Sequence, residues 1–172
     1  TQAFVSGIPV FGSLIAFVVE GTAQLGLLEV PGLSERWLGA AGWGTRLHDG
    51  NVCRCVEDES LSEVILAATS PSMFTSSEQT RFRALSRQVR FTRYGTDCYA
   101  YGLLASGFIG LVVESDMKPH DYMALVPVVE QAGGIITDWH GQRLRCDVET
   151  STILAAGNEA LYRQALQFLQ DN

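Results

Sequence analysis

The spacing of hydrophobic and polar positions changes near residue 60, and it indicates two kinds of structure. Before that point, apolar runs alternate with short turn sequences of the kind that joins antiparallel strands. Strands are predicted at residues 10–19, 23–30 and 34–42, followed by a hairpin at residues 42–56 with an Asp-Gly turn. We therefore predict an antiparallel meander of about four strands, whose edges suit pairing with further structure.

Beyond the polar segment at residues 57–62, apolar runs alternate with segments of helical length. Strands are predicted at residues 63–69, 89–92, 108–114, 135–138 and 151–157. Helices are predicted at residues 75–88, 97–107, 119–134 and 158–170, the last one capped by Asn158. Strands that alternate with helices of about ten to fifteen residues are typical of an α/β arrangement. The chain is thus predicted to divide into a sheet-rich domain, residues 1–60, and an α/β domain, residues 61–172.

Composition and charge narrow the classes of partner. The 172 residues, 47% of them hydrophobic, suffice for one well-packed domain or two small ones. A net charge of −7 argues against a nucleic-acid or anionic-membrane surface, because phosphate backbones select basic faces. The most apolar stretch, residues 10–19, is about half of a membrane span. We expect no nucleic-acid and no membrane partner, and the acidity favours a metal-mediated site for phosphorylated small molecules.

Cysteine usage points to reduced thiols. The four cysteines, Cys53, Cys55, Cys98 and Cys146, include no CxxC pair, and the three histidines lack the spacing of zinc ligands. We therefore expect neither zinc nor a disulfide framework, and we predict a cytoplasmic protein.

Polar residues gather at two predicted strand-to-helix junctions, which is where open α/β sheets bind ligands. Gly95, Thr96 and Asp97 precede one helix, and Glu114 and Asp121 lie on either side of the next junction. Each carboxylate has a structural alternative. Asp97 suits the first turn of a helix, Glu114 suits a solvated strand end, and Asp121 suits a helix cap.

A third candidate is Thr1, whose hydroxyl would lie at the start of a short helix that ends near Gly7. Threonine at such a position is most often a simple cap, and Asp121 can also pair with Lys118 or Arg93. These local patterns do not by themselves name a reaction.

Four segments in succession resemble the inositol-monophosphatase-like family of metal-dependent phosphatases. They are TQAFVSGIPVFGSLIAF, GLLEVPGLSERWLGAAGWGTRLHDG, RYGTDCYAYGLLASG and VESDMKPHDYMALVPVVEQAGGIITDW. The resemblance covers essentially the whole chain, and its most specific part is the run from Asp121 to Gly134. The sequences KPHDY at residues 118–122 and GTDCY at residues 95–99 resemble the histidinol-phosphatase branch in particular.

The resemblance implies a layered α-β-α-β-α fold and an Mg²⁺-dependent phosphomonoesterase that hydrolyses histidinol phosphate in histidine biosynthesis. It implies that Asp121 binds the metal and that Thr1 is catalytic, orienting the attacking water. It implies further that four residues bind the substrate: Gly95, Thr96, Asp97 and Glu114. Family members are commonly dimers, so a homodimer is expected.

The same resemblance implies that the chain is a fragment. The family's other metal-binding acidic motifs precede the position of Thr1, and one metal-binding aspartate does not assemble a multi-Mg²⁺ site, since each ion needs about six oxygen ligands. We therefore expect the 172 residues taken alone to be inactive or nearly so.

Two alternatives remain open. One is a phosphatase for inositol phosphate or for another sugar or nucleotide phosphate. The other is a non-catalytic fragment or binding module that keeps the fold without the metal cluster.

Overall fold

The first sheet is an antiparallel meander of four strands. The computed structural model describes residues 2–170. The strands are β1 Ser13–Val19, β2 Thr22–Val30, β3 Glu35–Ala40 and β4 Gly44–Leu47, in the order β1-β2-β3-β4. This sheet confirms the predicted meander. The second arm of the expected hairpin is reduced to one isolated bridge, between Arg46 and Val52.

The second sheet is mixed and has five strands in the order β6-β5-β7-β9-β8. The strands are β5 Ile65–Ala68, β6 Phe91–Tyr94, β7 Leu111–Glu114, β8 Ile135–Thr137 and β9 Ile153–Ala156. Strands β6, β5 and β7 run parallel to one another, and β9 is antiparallel to both β7 and β8. From β5 the chain passes to β6 on one side and then to β7 on the other, so the direction of winding reverses at β5.

Six α-helices and two short 3₁₀ turns complete the structure described. The helices are α1 Gln2–Val5, α2 Ser76–Ser86, α3 Tyr99–Ala105, α4 Pro119–Tyr122, α5 Leu125–Glu130 and α6 Glu159–Leu169. The 3₁₀ turns are Leu61–Glu63 and Pro71–Met73. The two longest helices, α2 and α6, have 11 residues each. Between residues 2 and 170 no helix has the length and apolar character needed to cross a membrane.

Alternate side chains of the second sheet enter two separate hydrophobic cores. Ala67, Val112 and Ala155 face α3, α5 and the first sheet, whereas their neighbours on the same strands face α2 and α6. The layers therefore follow the order sheet, helices, sheet, helices. This stacking confirms the layered α/β prediction, and it leaves the carboxyl ends of β6, β5 and β7 open at one edge.

The single helix predicted at residues 119–134 is wrong in one respect, because the structure divides it into α4 and α5. Pro127 has no N–H with which to bond the Met123 carbonyl, so the helical ladder is interrupted there. Cys53, Cys55, Cys98 and Cys146 are free thiols in the structure described. The predicted role of Thr1 lies outside the residues that the structure describes.

Candidate active site

Three neighbouring parallel strands place the candidate residues side by side. Strand β5 pairs with β7 through Ala67 opposite Val112, and with β6 through Ala68 opposite Tyr94. Continuing this register places Thr69 between Gly95 on one side and Glu114 on the other. The site therefore lies where parallel strands end next to a reversal of winding, as in other open α/β sheets.

Glu114 ends β7 and is almost completely buried, with 3% of its surface exposed. Its Oε1 accepts hydrogen bonds from the Thr69 N–H at 3.0 Å and from the Thr69 hydroxyl at 2.6 Å. Burial raises the pKa of Glu114 from its ordinary 4.5 to about 7, with a smaller contribution from the negative charges of Asp97 and Asp121. The solvated strand end suggested as an alternative is therefore not what the structure shows.

Asp97 adopts a left-handed backbone conformation, with φ of 46°, two residues after Gly95 at φ 75°. Such a conformation costs a non-glycine residue about 1–2 kcal/mol, although aspartate tolerates it better than most. The strained turn directs Asp97 into the same cavity as Glu114 and Asp121. Gly95 and Thr96 instead line a neighbouring cavity of about 420 Å³.

Asp121 lies in the first turn of α4, where Pro119 begins the helix. Its Oδ2 accepts a hydrogen bond from the Lys118 N–H at 2.9 Å, and its Oδ1 is 3.6 Å from Nε2 of His120. Asp121 therefore caps the helix, and its side chain is still 42% exposed and lines the cavity. The cap and a ligand role are compatible, since the carboxylate stays accessible from the cavity while it accepts the Lys118 N–H.

The cavity itself is strongly acidic and has a volume of about 350 Å³. Four carboxylates line it, and no lysine, arginine or histidine does so in the part of the chain described. The acidic lining residues are Asp97, Glu114, Asp116 and Asp121. Such a cavity favours a ligand that brings positive charge.

Carboxylate oxygens are the type of ligand that Mg²⁺ prefers, but the described residues bring too few of them together for a complete metal site. Residues 2–170 contain no group of three or more histidine, cysteine, aspartate or glutamate side chains close enough together to hold a metal ion. Asp121 is half-exposed and already accepts one N–H, so it fits as one ligand of an ion completed by water, phosphate or other protein groups.

Sequence reasoning missed most of the residues that line this cavity, among them the polar Thr69, Tyr101 and Asp116. Thr69 ends a predicted strand just as Glu114 does, so the strand-end rule that selected Glu114 would have found it. Tyr101 lies four residues after Asp97, and its hydroxyl is buried with no hydrogen-bond partner among the described residues. Burial raises the pKa of Tyr101 well above its ordinary value of 10, so the phenol remains a proton donor.

The layered fold, with an acidic cavity at the strand ends, is of the kind in which α/β proteins bind small molecules. Residues 1–171 match the sequence pattern of the inositol monophosphatase family, and the chain belongs to that family.

Individual relatives extend the comparison. The chain is 43% identical to the bifunctional phosphatase IMPL2, chloroplastic, of Arabidopsis thaliana over 99% of its own length and 51% of that protein. It is 29% identical to a histidinol-phosphatase of Chlorobaculum parvum over 96% of its own length and 63% of that protein. The structure of an inositol monophosphatase from Zymomonas mobilis superposes with a TM-score of 0.94 at 38% identity, covering 98% of this chain and 66% of that one.

These coverages show that the chain spans about half to two thirds of the length of the relatives it matches. The activity, substrates and partners of the whole protein are therefore matters for proposal.

Proposed function

We propose that the protein is a phosphomonoesterase of the inositol monophosphatase family that acts on histidinol phosphate. The observation that carries the proposal is the acidic cavity, which has four carboxylates and, among the described residues, no basic side chain. Histidinol carries an amine and an imidazole, both of which can be cationic, whereas inositol is a neutral polyol.

The electrostatics of Glu114 support a cationic ligand. Burial raises the pKa of this carboxylate to about 7, so it is only partly ionised near neutral pH. An ammonium or imidazolium group placed between Glu114 and Asp97 would compensate both carboxylates and form charge-assisted hydrogen bonds. A neutral polyol would leave the carboxylates without a partner charge, which is costly in a buried site.

In this proposal Glu114 and Asp97 bind the organic end of the substrate, and Asp121 binds the metal beside the phosphate. When bound, Mg²⁺ supplies neutralisation of phosphate charge and a lower pKa for the attacking water. Thr1 is assigned the orientation of that water, and Gly95 and Thr96 support the wall of the substrate site. The Tyr101 hydroxyl is a further proton donor at the cavity.

Two other functions have specific support. The Zymomonas mobilis inositol monophosphatase is more similar in sequence than the Chlorobaculum parvum histidinol-phosphatase, which favours inositol phosphate or a related sugar or nucleotide phosphate as substrate. The lack of a three-ligand metal cluster within residues 2–170 favours the non-catalytic binding module. The cavity charge distinguishes the first alternative from our proposal, and metal dependence distinguishes the second.

We propose further that the protein forms a homodimer in the cytoplasm. The name of the Arabidopsis thaliana relative supports a chloroplast as the alternative location. Sedimentation of the purified protein and imaging of a tagged copy in its own organism test these two points.

The test of the function is a phosphate-release assay on the protein expressed from the longest open reading frame that encodes these residues. Histidinol phosphate and inositol monophosphate are compared, each with Mg²⁺ and with a chelator. We expect Mg²⁺-dependent release that prefers histidinol phosphate and is lost in Asp121→Asn. A preference for inositol phosphate would overturn the substrate assignment. Release of phosphate from neither ester by a folded protein would overturn the enzyme assignment.

A further inference from the structure

Thr69 joins the two segments that form the proposed substrate site. It follows β5, the strand that lies between β6 and β7, and it is half-buried at the wall of the acidic cavity. Its carbonyl accepts a hydrogen bond from the Gly95 N–H at 3.0 Å, at the start of the strained turn that carries Asp97. Its N–H and its hydroxyl both donate to Glu114. One residue thus contacts both walls.

The two donors meet the same carboxylate oxygen. The hydroxyl bond to Glu114 Oε1, at 2.6 Å, has the short length typical of a charge-assisted hydrogen bond. Among residues 2–170 no donor bonds Oε2 of Glu114. Thr69 therefore fixes the rotation of the carboxylate and leaves its second oxygen for a ligand in the cavity.

A second contact holds the next residue of the same strand end. The Ser115 hydroxyl donates to Oε1 of Glu78 at 3.0 Å, while Oε2 of Glu78 accepts from the N–H and the hydroxyl of Thr75 in the capping box of α2. The first turn of α2 thus holds Ser115 independently of Thr69. Removing the Thr69 hydroxyl should release the Glu114 carboxylate without releasing the strand.

We propose that Thr69 is a positioning residue for substrate specificity, which holds Glu114 in the orientation that receives the cationic end of the substrate. The choice of a cationic ligand rests on the proposed function, whereas the coupling between Thr69 and Glu114 does not. A purely structural role would be different: the threonine would stabilise the fold and leave ligand selection unchanged.

The experiment compares Thr69→Val and Thr69→Ser with the wild type, using the protein from the longest reading frame with Mg²⁺ present. Valine keeps the shape and the N–H but removes the hydroxyl, and serine retains the hydroxyl. We expect Thr69→Val to raise KM for histidinol phosphate roughly tenfold with kcat changed less than about threefold, because the lost contact concerns binding. Thr69→Ser should restore KM to within about twofold of the wild type.

Thr45 provides the matched control, because its buried hydroxyl donates to the Val128 carbonyl at 2.8 Å outside the cavity. Thr45→Val should lower the melting temperature and leave KM unchanged. If Thr69→Val also lowered only the melting temperature, or if it reduced kcat for both esters equally, the positioning role would be overturned.

A double-mutant cycle of Thr69→Val with Glu114→Met, which removes the acceptor for Thr69, separates this inference from the proposed function. The substrate that the wild type prefers decides the function, and the cycle is measured on that substrate. If Thr69 acts through Glu114, Thr69→Val has less than about a third of its single-mutant effect on KM in the Glu114→Met background. If the fold-change in KM of the double variant equalled the product of the two single-variant fold-changes, the positioning role would be overturned, whichever ester is preferred.

Discussion

At the residue scale, Glu114 combines a cost to stability with a candidate function. A buried carboxylate with few donors is unfavourable in the folded chain, and its pKa of about 7 measures that penalty. Groups whose pKa is perturbed by burial in a cavity are frequent at functional sites. The structure retains this carboxylate at the end of a buried strand, where an apolar residue would pack at no electrostatic cost.

Replacing Glu114 with glutamine should stabilise the protein at alkaline pH. The pKa is 4.5 ordinarily and about 7 in the folded chain, so between these values the folded state binds more protons than the unfolded state. Stability of the wild type therefore falls as pH rises through this window, by about 3 kcal/mol at most. Glutamine keeps the acceptor for Thr69 and has no charge to desolvate.

Urea unfolding of the wild type and Glu114→Gln across pH 4.5 to 8 measures this difference. We expect the variant to be more stable by about 2–3 kcal/mol at pH 8, with the difference shrinking toward pH 4.5. A difference in stability that does not change with pH would contradict the raised pKa of Glu114.

At the scale of elements, the sequence predicted those features that depend on short-range pattern. The capping box of α2, formed by Thr75 and Glu78, and the Asn158 cap of α6 lie where the polar residues before each apolar run indicated. The contact between Thr69 and Glu114 spans 45 residues and depends on the register of two strands, which no local pattern encodes. Pro127 indicates a break between α4 and α5, whereas the long apolar pattern at residues 119–134 favoured a single helix.

The glycines Gly26 and Gly39 are paired across β2 and β3, and they let the backbone around α5 approach the first sheet. A Cβ on Gly26 would clash with the Ala124 carbonyl, and one on Gly39 would clash with the Pro127 carbonyl. Because α5 packs between the two sheets, Gly26→Ala should lower the free energy of unfolding by about 2–3 kcal/mol or more.

Chemical denaturation of Gly26→Ala tests this, with Gly44→Ala as control. The methyl group added at Gly44 would lie no closer than 3.8 Å to the Gln131 carbonyl, so only its positive φ of 82° adds a cost, of about 1 kcal/mol. Equal losses in the two variants would show that close approach is not the reason for Gly26.

Asn158 connects α6 to the segment that joins the two sheets. Its Oδ1 accepts from the Leu161 N–H at 3.0 Å, and its Nδ2 donates to the carbonyls of Val56 at 3.2 Å and Asp58 at 2.8 Å. Asn158→Ser keeps a side-chain oxygen for the cap and loses both amide donors, whereas Asn158→Ala loses the cap and the donors.

We expect Asn158→Ala to cost about 2–3 kcal/mol of stability and Asn158→Ser about 1 kcal/mol, measured by thermal or urea unfolding. Equal destabilisation of the two variants would mean that the bonds to residues 56 and 58 account for the whole loss of stability and that the cap contributes nothing.

At the scale of the whole molecule, the stack of layers ends in an apolar face on the first sheet. Strand β1 lies at the edge of that sheet, and Ile15, Phe17 and Val19 on one face of it are 61%, 62% and 45% exposed. Exposed apolar strands at a sheet edge promote association.

The 172-residue chain should therefore self-associate as its concentration rises, and the double variant Ile15→Lys with Phe17→Lys should reduce this. Sedimentation velocity over a range of concentrations provides the measurement. Val52→Lys, at a side chain that is 53% exposed elsewhere on the surface, is the control and should leave association unchanged. Association that is equally strong in all three proteins would assign it to another surface.

The most direct test of the central claim is the ratio of kcat/KM for histidinol phosphate to that for inositol monophosphate, measured in the wild type and in Asp97→Asn. Asparagine keeps the size of the side chain and removes the negative charge of Asp97, which we propose contacts the cationic end of the substrate. We expect a ratio above one in the wild type and a fall of about tenfold or more in the variant, with kcat/KM for inositol monophosphate nearly unchanged. A wild-type ratio below one, or a ratio that Asp97→Asn does not alter, would contradict this expectation.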